Sequence, residues 1–259
     1  MFTSMLRRRA GDWHSRGLLI GAMTAALFSA HCGDAGQGGT GGEGPVDHAI
    51  CSPPASISGA PKTIEDVTAL INALAKERGG IVDLPCFIAA LDRPLGATAS
   101  AGFVSAQPAH GARSPRMFLW SGALVLSVAP EGIGKDLLEF GLQTSPTRSI
   151  KAEIEFPVTA PLPDSAPYDR IGDGKGTTCF ACHPHETPVK SAASANVFES
   201  DVLRPSDADL VAVGNVGIES EQCDPATEPQ RCALLAAIFD QGNIIPKGFS
   251  QEARTLYGE

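Results

Sequence analysis

The sequence lacks both a long apolar run and an excess of positive charge. No internal stretch is apolar enough over a sufficient length to span a bilayer. Of the 259 residues, 20 are Lys or Arg and 29 are Asp or Glu. Such an acidic surface repels nucleic acid and anionic lipid headgroups, so we expect no nucleic-acid partner.

Patterns typical of enzymes are missing as well. We find no nucleophile arrangement, no phosphate-binding loop and no paired carboxylates in a convincing context, so we expect no catalytic activity. Apolar residues make up 43% of the chain, which allows a buried core.

The N-terminal residues have the order of an export signal. A basic region, Arg7 to Arg16, precedes an apolar stretch from Gly17 to Ala30 that is too short for a membrane span. Small residues then lead to Cys32, which resembles the cleavage box of bacterial lipoproteins. The resemblance implies removal of residues 1–31 and lipidation of Cys32. An ordinary secretory signal cut near Ala30 is the alternative.

The segment after Cys32 favours the anchored form. Residues 32–47 are rich in Gly and polar side chains, which cannot bury a core and which suit a flexible tether. Without the signal the chain has 16 basic and 28 acidic side chains, a net charge of −12. We expect a periplasm-facing protein of the cell envelope with a lipid anchor in the membrane. Gly33 after the cysteine slightly favours the outer membrane.

Residues 48–157 predict a helix followed by a β-rich domain. Thr63 with Asp66 resembles a capping box, and Gly79 and Gly80 resemble a helix stop. The helix between them has one apolar face, formed by Ile64, Val67, Leu70, Ile71 and Leu74. Short apolar runs separated by turns then predict strands near 86–91, 117–120, 123–128, 137–140 and 150–156. In the last run, Lys151, Glu153 and Glu155 alternate with apolar residues, which indicates one buried and one wet face. These strands favour an antiparallel sandwich or partial barrel.

A Pro-rich connector, residues 158–168, leads to a small, loop-rich segment, residues 169–259. The one clear helix in this segment is expected at Arg231 to Asp240, with a stop near Gly242.

The chemistry-bearing motif lies in this last segment. Cys179, Cys182 and His183 stand in the order C-x-x-C-H. Two thiols three positions apart on one turn can reach two vinyl groups on one edge of a porphyrin, and the next imidazole can reach its iron. The motif resembles the attachment site of c-type cytochromes over about ten residues.

That resemblance implies one covalent haem c, with Cys179 and Cys182 as thioethers and His183 as the proximal iron ligand. Haem attachment of this kind occurs outside the bacterial cytoplasm, in agreement with the export signal. Two alternatives stay open. One is a Cys179–Cys182 disulfide with an incidental histidine, and the other is a zinc site that adds His185.

The sixth iron ligand departs from the pattern of small cytochromes, which use a methionine downstream of the motif. Here no methionine follows Met117. His185 is too close to His183 to reach the opposite haem face. The distal candidates are therefore His110, Met117 and His48, with His110 first because it lies in a loop. A five-coordinate iron is the other possibility.

Cysteine arithmetic accounts for the remaining thiols. The chain has seven cysteines. With Cys32 assigned to lipid and two cysteines to haem, four remain, and an even remainder in an oxidising compartment suggests two disulfides. Of three possible pairings we favour Cys51–Cys86 and Cys223–Cys232, each within its own region.

Together these observations predict a mixed α+β protein, with a β-rich antiparallel sandwich-like domain before a mainly helical cytochrome c-like segment. The expected function is electron transfer through one haem to a redox partner protein of the envelope. The alternative is a non-enzymatic binding or structural lipoprotein without haem.

Overall fold

The computed structural model describes residues 51–256. The predicted signal (residues 1–31), the lipidation site Cys32, the tether (32–47) and His48 lie outside the described residues. Within residues 51–256, no helix is long and apolar enough to cross a membrane.

The fold is mixed α+β, as predicted, and its centre is a nine-stranded, mostly antiparallel sheet. The strands of the structure are β1 (Leu95–Ser100), β2 (Arg116–Ser121), β3 (Leu124–Val128), β4 (Leu137–Ser145), β5 (Arg148–Glu155), β6 (Thr187–Pro188), β7 (Phe198–Asp201), β8 (Leu203–Arg204), β9 (Leu210–Val211), β10 (Ile244–Pro246) and β11 (Arg254–Thr255). The sheet has the order β10-β1-β2-β3-β4-β5-β7-β6, and β9 also pairs with β1. Strands β8 and β11 form a separate parallel pair.

Five α-helices accompany the sheet: α1 (Ile64–Glu77), α2 (Leu84–Ala89), α3 (Ala166–Asp169), α4 (Val213–Glu221) and α5 (Pro229–Phe239). The predicted start of α1 is confirmed. The Asp66 N–H donates to Thr63 Oγ1 across 3.1 Å, and the Thr63 N–H donates to Asp66 Oδ2 across 3.0 Å. The five apolar residues predicted to share one face of α1 are all buried. The helix therefore begins at the capping box that the sequence predicted.

The prediction of a strand near 86–91 is wrong, because these residues lie mostly in α2. Asp83 caps this helix, with its Oδ1 accepting from the Cys86 N–H across 2.7 Å. Pro85 stands in the first turn, where its missing N–H costs nothing and its fixed φ suits a helix. The apolar run was too short for its periodicity to separate strand from helix.

Both predicted disulfides are present, Cys51–Cys86 and Cys223–Cys232. The first ties the start of the described chain to α2. The second joins the residues just after α4 to α5, whose bounds are close to those predicted.

In the described part of the chain nine of the strands belong to one sheet, and a sandwich of two packed sheets is not shown. Nor is a separate, mainly helical cytochrome c-like segment shown. Residues 169–256 supply β6 and β7, which extend the sheet beyond β5, and β9 and β10, which pair with β1. The 158–168 connector also packs on the fold, since the Leu162 N–H donates to Asn72 of α1 across 2.7 Å. These two- to four-residue strands depend on distant partners, so no local pattern marks them.

The two faces of the sheet have different roles. Side chains from β2 to β5 such as Met117, Leu126, Leu138 and Ile154 are buried in the main core, which also contains apolar residues of α1, α2, α4 and α5. Because successive strand residues point to opposite faces, the alternate positions on these strands face away from that core. They form a wall of the cavity described next.

Candidate functional site

A cavity of about 360 Å³ lies on the face of the sheet opposite the main core. Its walls come from β1 to β5, from residues 102–106 and from residues 202–206, and they are mostly apolar. Cys179, Cys182 and His183 all line it. The structure thus places the three residues of the C-x-x-C-H motif on one cavity.

The end of the described chain closes one side of this cavity. Phe249, Thr255 and Leu256 line it. The Phe249 ring packs edge-on against two aromatic rings of β2, with ring centroids 5.1 Å from Phe118 and 4.9 Å from Trp120. Residues far apart in sequence therefore complete the enclosure.

The motif forms one tight 3₁₀ turn, Thr178–Ala181, rather than an α-helical turn. Thr177 caps it by accepting from the Cys179 N–H across 3.2 Å. The His183 N–H donates to the Cys179 carbonyl oxygen across 2.8 Å, which holds the backbone of His183 close to that of the first cysteine. Glu186 holds the start of the turn through the Thr177 N–H, across 2.9 Å, and through the Thr177 hydroxyl.

Cys179 and Cys182 are thiols in the structure, whereas the other four cysteines of the described chain form the two disulfides. Burial, and after it the nearby Glu139, raises the pKa of Cys179 to about 12. A thiol that stays protonated is a poor nucleophile for disulfide exchange, which needs a thiolate. This argues against Cys179 as the attacking thiol of a redox-active C-x-x-C pair.

The zinc alternative gains no support from the geometry. Among residues 51–256, the one group of three potential ligands with mutually close atoms is Cys223, Glu228 and Cys232. Two of these are bonded to each other. His185 instead contacts the Asp201 carboxylate through Nδ1 across 2.8 Å.

His183 is held in one orientation and in its neutral form. Its Nδ1 lies 2.9 Å from the backbone carbonyl oxygen of Asp201. A carbonyl oxygen only accepts, so Nδ1 carries the hydrogen and Nε2 keeps its lone pair. Burial, and after it the Lys151 cation, lowers the pKa of His183 to about 3. A neutral imidazole whose Nδ1–H is bound to a carbonyl is the usual form of a histidine metal ligand.

The distal candidates do not lie with His183. Met117 is fully buried in the main core, on the opposite face of the sheet from the cavity. His110 is exposed and packs over Gly132, where an added Cβ would lie 2.4 Å from His110 Nε2. Neither residue is among those that line the cavity. Both assignments stay predictions, without a geometric argument for them.

Charged side chains in the cavity wall were not recognised as site residues from the sequence. Arg116 pairs with Glu139 across 2.5 Å and donates to the Ser127 hydroxyl across 2.6 Å. Lys151 donates to the Ser149 hydroxyl across 2.5 Å, and burial lowers the pKa of Lys151 to about 8. For Lys151 the signal was the alternation of charged and apolar residues over 150–156, which was interpreted as one wet and one buried face. Arg116 lies just before the strand predicted near 117–120, and no pattern marked it.

These contacts define what the site offers chemically: two thiols, a neutral imidazole with a fixed ring, apolar walls and a few charged groups. Comparisons of the chain with protein-family models, with curated proteins and with solved structures gave no match. The functional conclusion therefore depends on the geometry of this site.

Proposed function

We propose that the protein is a monohaem c-type cytochrome of the bacterial envelope, which carries electrons and is anchored through lipid on Cys32. One observation carries the proposal: Cys179, Cys182 and His183 line the same mostly apolar cavity. The resemblance to c-type cytochromes that this geometry supports is limited to the attachment turn. That turn lies within a mixed α+β fold.

The residues present fit such a group. The thiols of Cys179 and Cys182 supply the two covalent attachment points, and His183 supplies one axial nitrogen. A volume of about 360 Å³ lies within the range of about 300–1,000 Å³ found for small-molecule and cofactor sites. The mouth is open, so part of a large planar ring could lie outside this volume, where a partner protein would reach it.

The chain's own residues prepare the site for electron transfer. The Asp201 carbonyl fixes the His183 ring and its tautomer. The apolar walls limit the access of water and lower the local polarity, which is one of the ways in which a protein sets a redox potential. A bound haem would supply an iron that alternates between the ferrous and ferric states.

The direct test is intact mass of the full chain, produced in the periplasm together with haem-maturation proteins. We expect added haem mass, a Soret band and colour that stays with the polypeptide after extraction with acidic acetone. The matched control is C179A/C182A, which should lose the covalent haem. A colourless wild-type chain that has lost two hydrogens at Cys179 and Cys182 would instead support the binding or structural lipoprotein.

The anchor needs its own test, because it rests on the sequence of residues that the structure does not describe. We expect the wild-type chain to incorporate labelled palmitate and to fractionate with membranes. C32S should incorporate no label. Equal release of both proteins into the soluble periplasm would overturn the anchor without affecting the haem assignment.

A further inference from the structure

Lys151 is a cation in the cavity wall without a carboxylate partner in the described chain. It belongs to β5, lines the cavity and is partly buried. Its hydrogen bond goes to a neutral group, the Ser149 hydroxyl. A cation placed away from water without a counter-ion lowers the stability of a fold, so its position calls for an explanation.

The nearby carboxylates already have arginine partners. Glu139 pairs with Arg116 across 2.5 Å, and Asp201 pairs with Arg148 across 2.9 Å. The third cation in the wall, Arg204, pairs with Asp207 across 2.9 Å. Among residues 51–256, Lys151 is thus the cation of this wall with no ion pair of its own. A negative group on the occupant of the cavity would supply the missing counter-ion.

We infer that Lys151 binds a carboxylate of the molecule that occupies the cavity, so that the site selects an apolar ring system bearing an acidic group. The inference rests on the proposed function, under which that carboxylate is a haem propionate. The Ser149 hydroxyl orients the ammonium group, and two of its three hydrogens remain for the incoming oxygen atoms. Hydrogen bonds between charged groups in such a setting are the strong ones.

The test is a thermodynamic cycle that removes the cation and the carboxylates in turn. In the full chain with C179A/C182A no thioether can form, so any binding is reversible, and dissociation constants are measured for haem and for haem dimethyl ester at about pH 6, where Lys151 is charged. We expect this parent to prefer haem over the ester by about tenfold or more. K151M should remove the preference and K151R should keep most of it. K76M, at an exposed position on α1, is the control and should behave as the parent.

Each other outcome overturns the inference. If the parent and K151M prefer haem over the ester to the same extent, the carboxylate of haem does not bind Lys151. An equal loss of affinity for haem and for the ester, with a shifted Soret band, would show that Lys151 binds the iron. A parent that binds neither compound would show that the cavity does not take haem reversibly. Intact mass of the native chain decides the proposed function separately, so the two failures are distinguishable.

Discussion

His183 donates its Nδ1 hydrogen to the backbone carbonyl oxygen of Asp201 across 2.9 Å. Asp201 is the last residue of β7, and β7 pairs with β5, the strand that carries Lys151. The imidazole is therefore oriented by a strand of the same sheet that forms the cavity wall. The orientation does not depend on a mobile side chain, because the acceptor belongs to the backbone.

Replacing this imidazole should leave a vacant ligand position that a free imidazole can fill. H183A should still carry covalent haem through Cys179 and Cys182, but its Soret band should differ from that of the wild type. Adding imidazole should restore the wild-type spectrum. H185A is the matched control, since His185 is exposed and contacts the Asp201 carboxylate instead. A wild-type spectrum in H183A would remove His183 as the ligand.

The neutral state of His183 predicts loss of stability in acid for the haem-free chain. The folded state holds the pKa near 3, whereas the unfolded chain titrates near 6.5, so the unfolded state binds more protons between these values. Stability should therefore fall as the pH drops from about 6.5, by at most about 1.4 kcal/mol per pH unit. Urea denaturation at several pH values measures this change in the free energy of unfolding. In H183Q this part of the slope should be absent, and an unchanged slope would contradict the prediction.

Removing the Lys151 cation should stabilise the haem-free protein. Burial lowers the pKa of Lys151 to about 8, which means that the folded state disfavours the charged amine. K151M should therefore raise the free energy of unfolding at neutral pH by roughly 1 to 3 kcal/mol. The gain should disappear at high pH, as the wild-type amine loses its proton. If K151M is destabilising at neutral pH, the cation contributes to the fold itself.

Neither distal candidate should affect the haem spectrum. M117L keeps the side-chain volume in the main core, and H110A changes an exposed loop residue. Because both residues lie away from the cavity lining, we expect the Soret and visible bands of the two holoproteins to match those of the wild type. A spectral change in one variant would identify that residue as the sixth ligand.

The two disulfides should contribute unequally to stability. They close loops with sequence separations of 35 for Cys51–Cys86 and 9 for Cys223–Cys232. Chain entropy alone gives about 4 and about 2.5 kcal/mol for loops of these lengths. C51A/C86A should thus lower the urea midpoint more than C223A/C232A, with covalent haem retained in both. The reverse order would show that the shorter loop is held mainly by contacts in the folded state.

Local signals in the sequence predicted local structure. The Thr63–Asp66 cap, the helix after it and the C-x-x-C-H turn each need only a few neighbouring residues. Counting gave two disulfides, and the preference for partners within one region gave their pairing. β1 was missed because Leu95–Ser100 has mostly small residues, and α4 was missed because its two glycines weaken any helical pattern.

The cavity could not be predicted, because its walls come from segments that are distant in the chain. The alternation of Lys151 and Glu153 with apolar residues correctly separated the two faces of β5. It could not show that the polar face meets the motif turn across a cavity instead of bulk solvent. The pairing of β7 with β5 brings the two together, and β7 has only four residues.

The side of the cavity formed by Phe249, Thr255 and Leu256 has a consequence for the order of assembly. The contacts that form the motif turn come from residues 177–186, so the turn can form before residues 249–256 wall it in. A large planar molecule joined to the sulfurs before these residues fold would not have to pass them to enter the cavity. Phe249, Thr255 and Leu256 would then fold against the bound molecule and complete that side of the cavity.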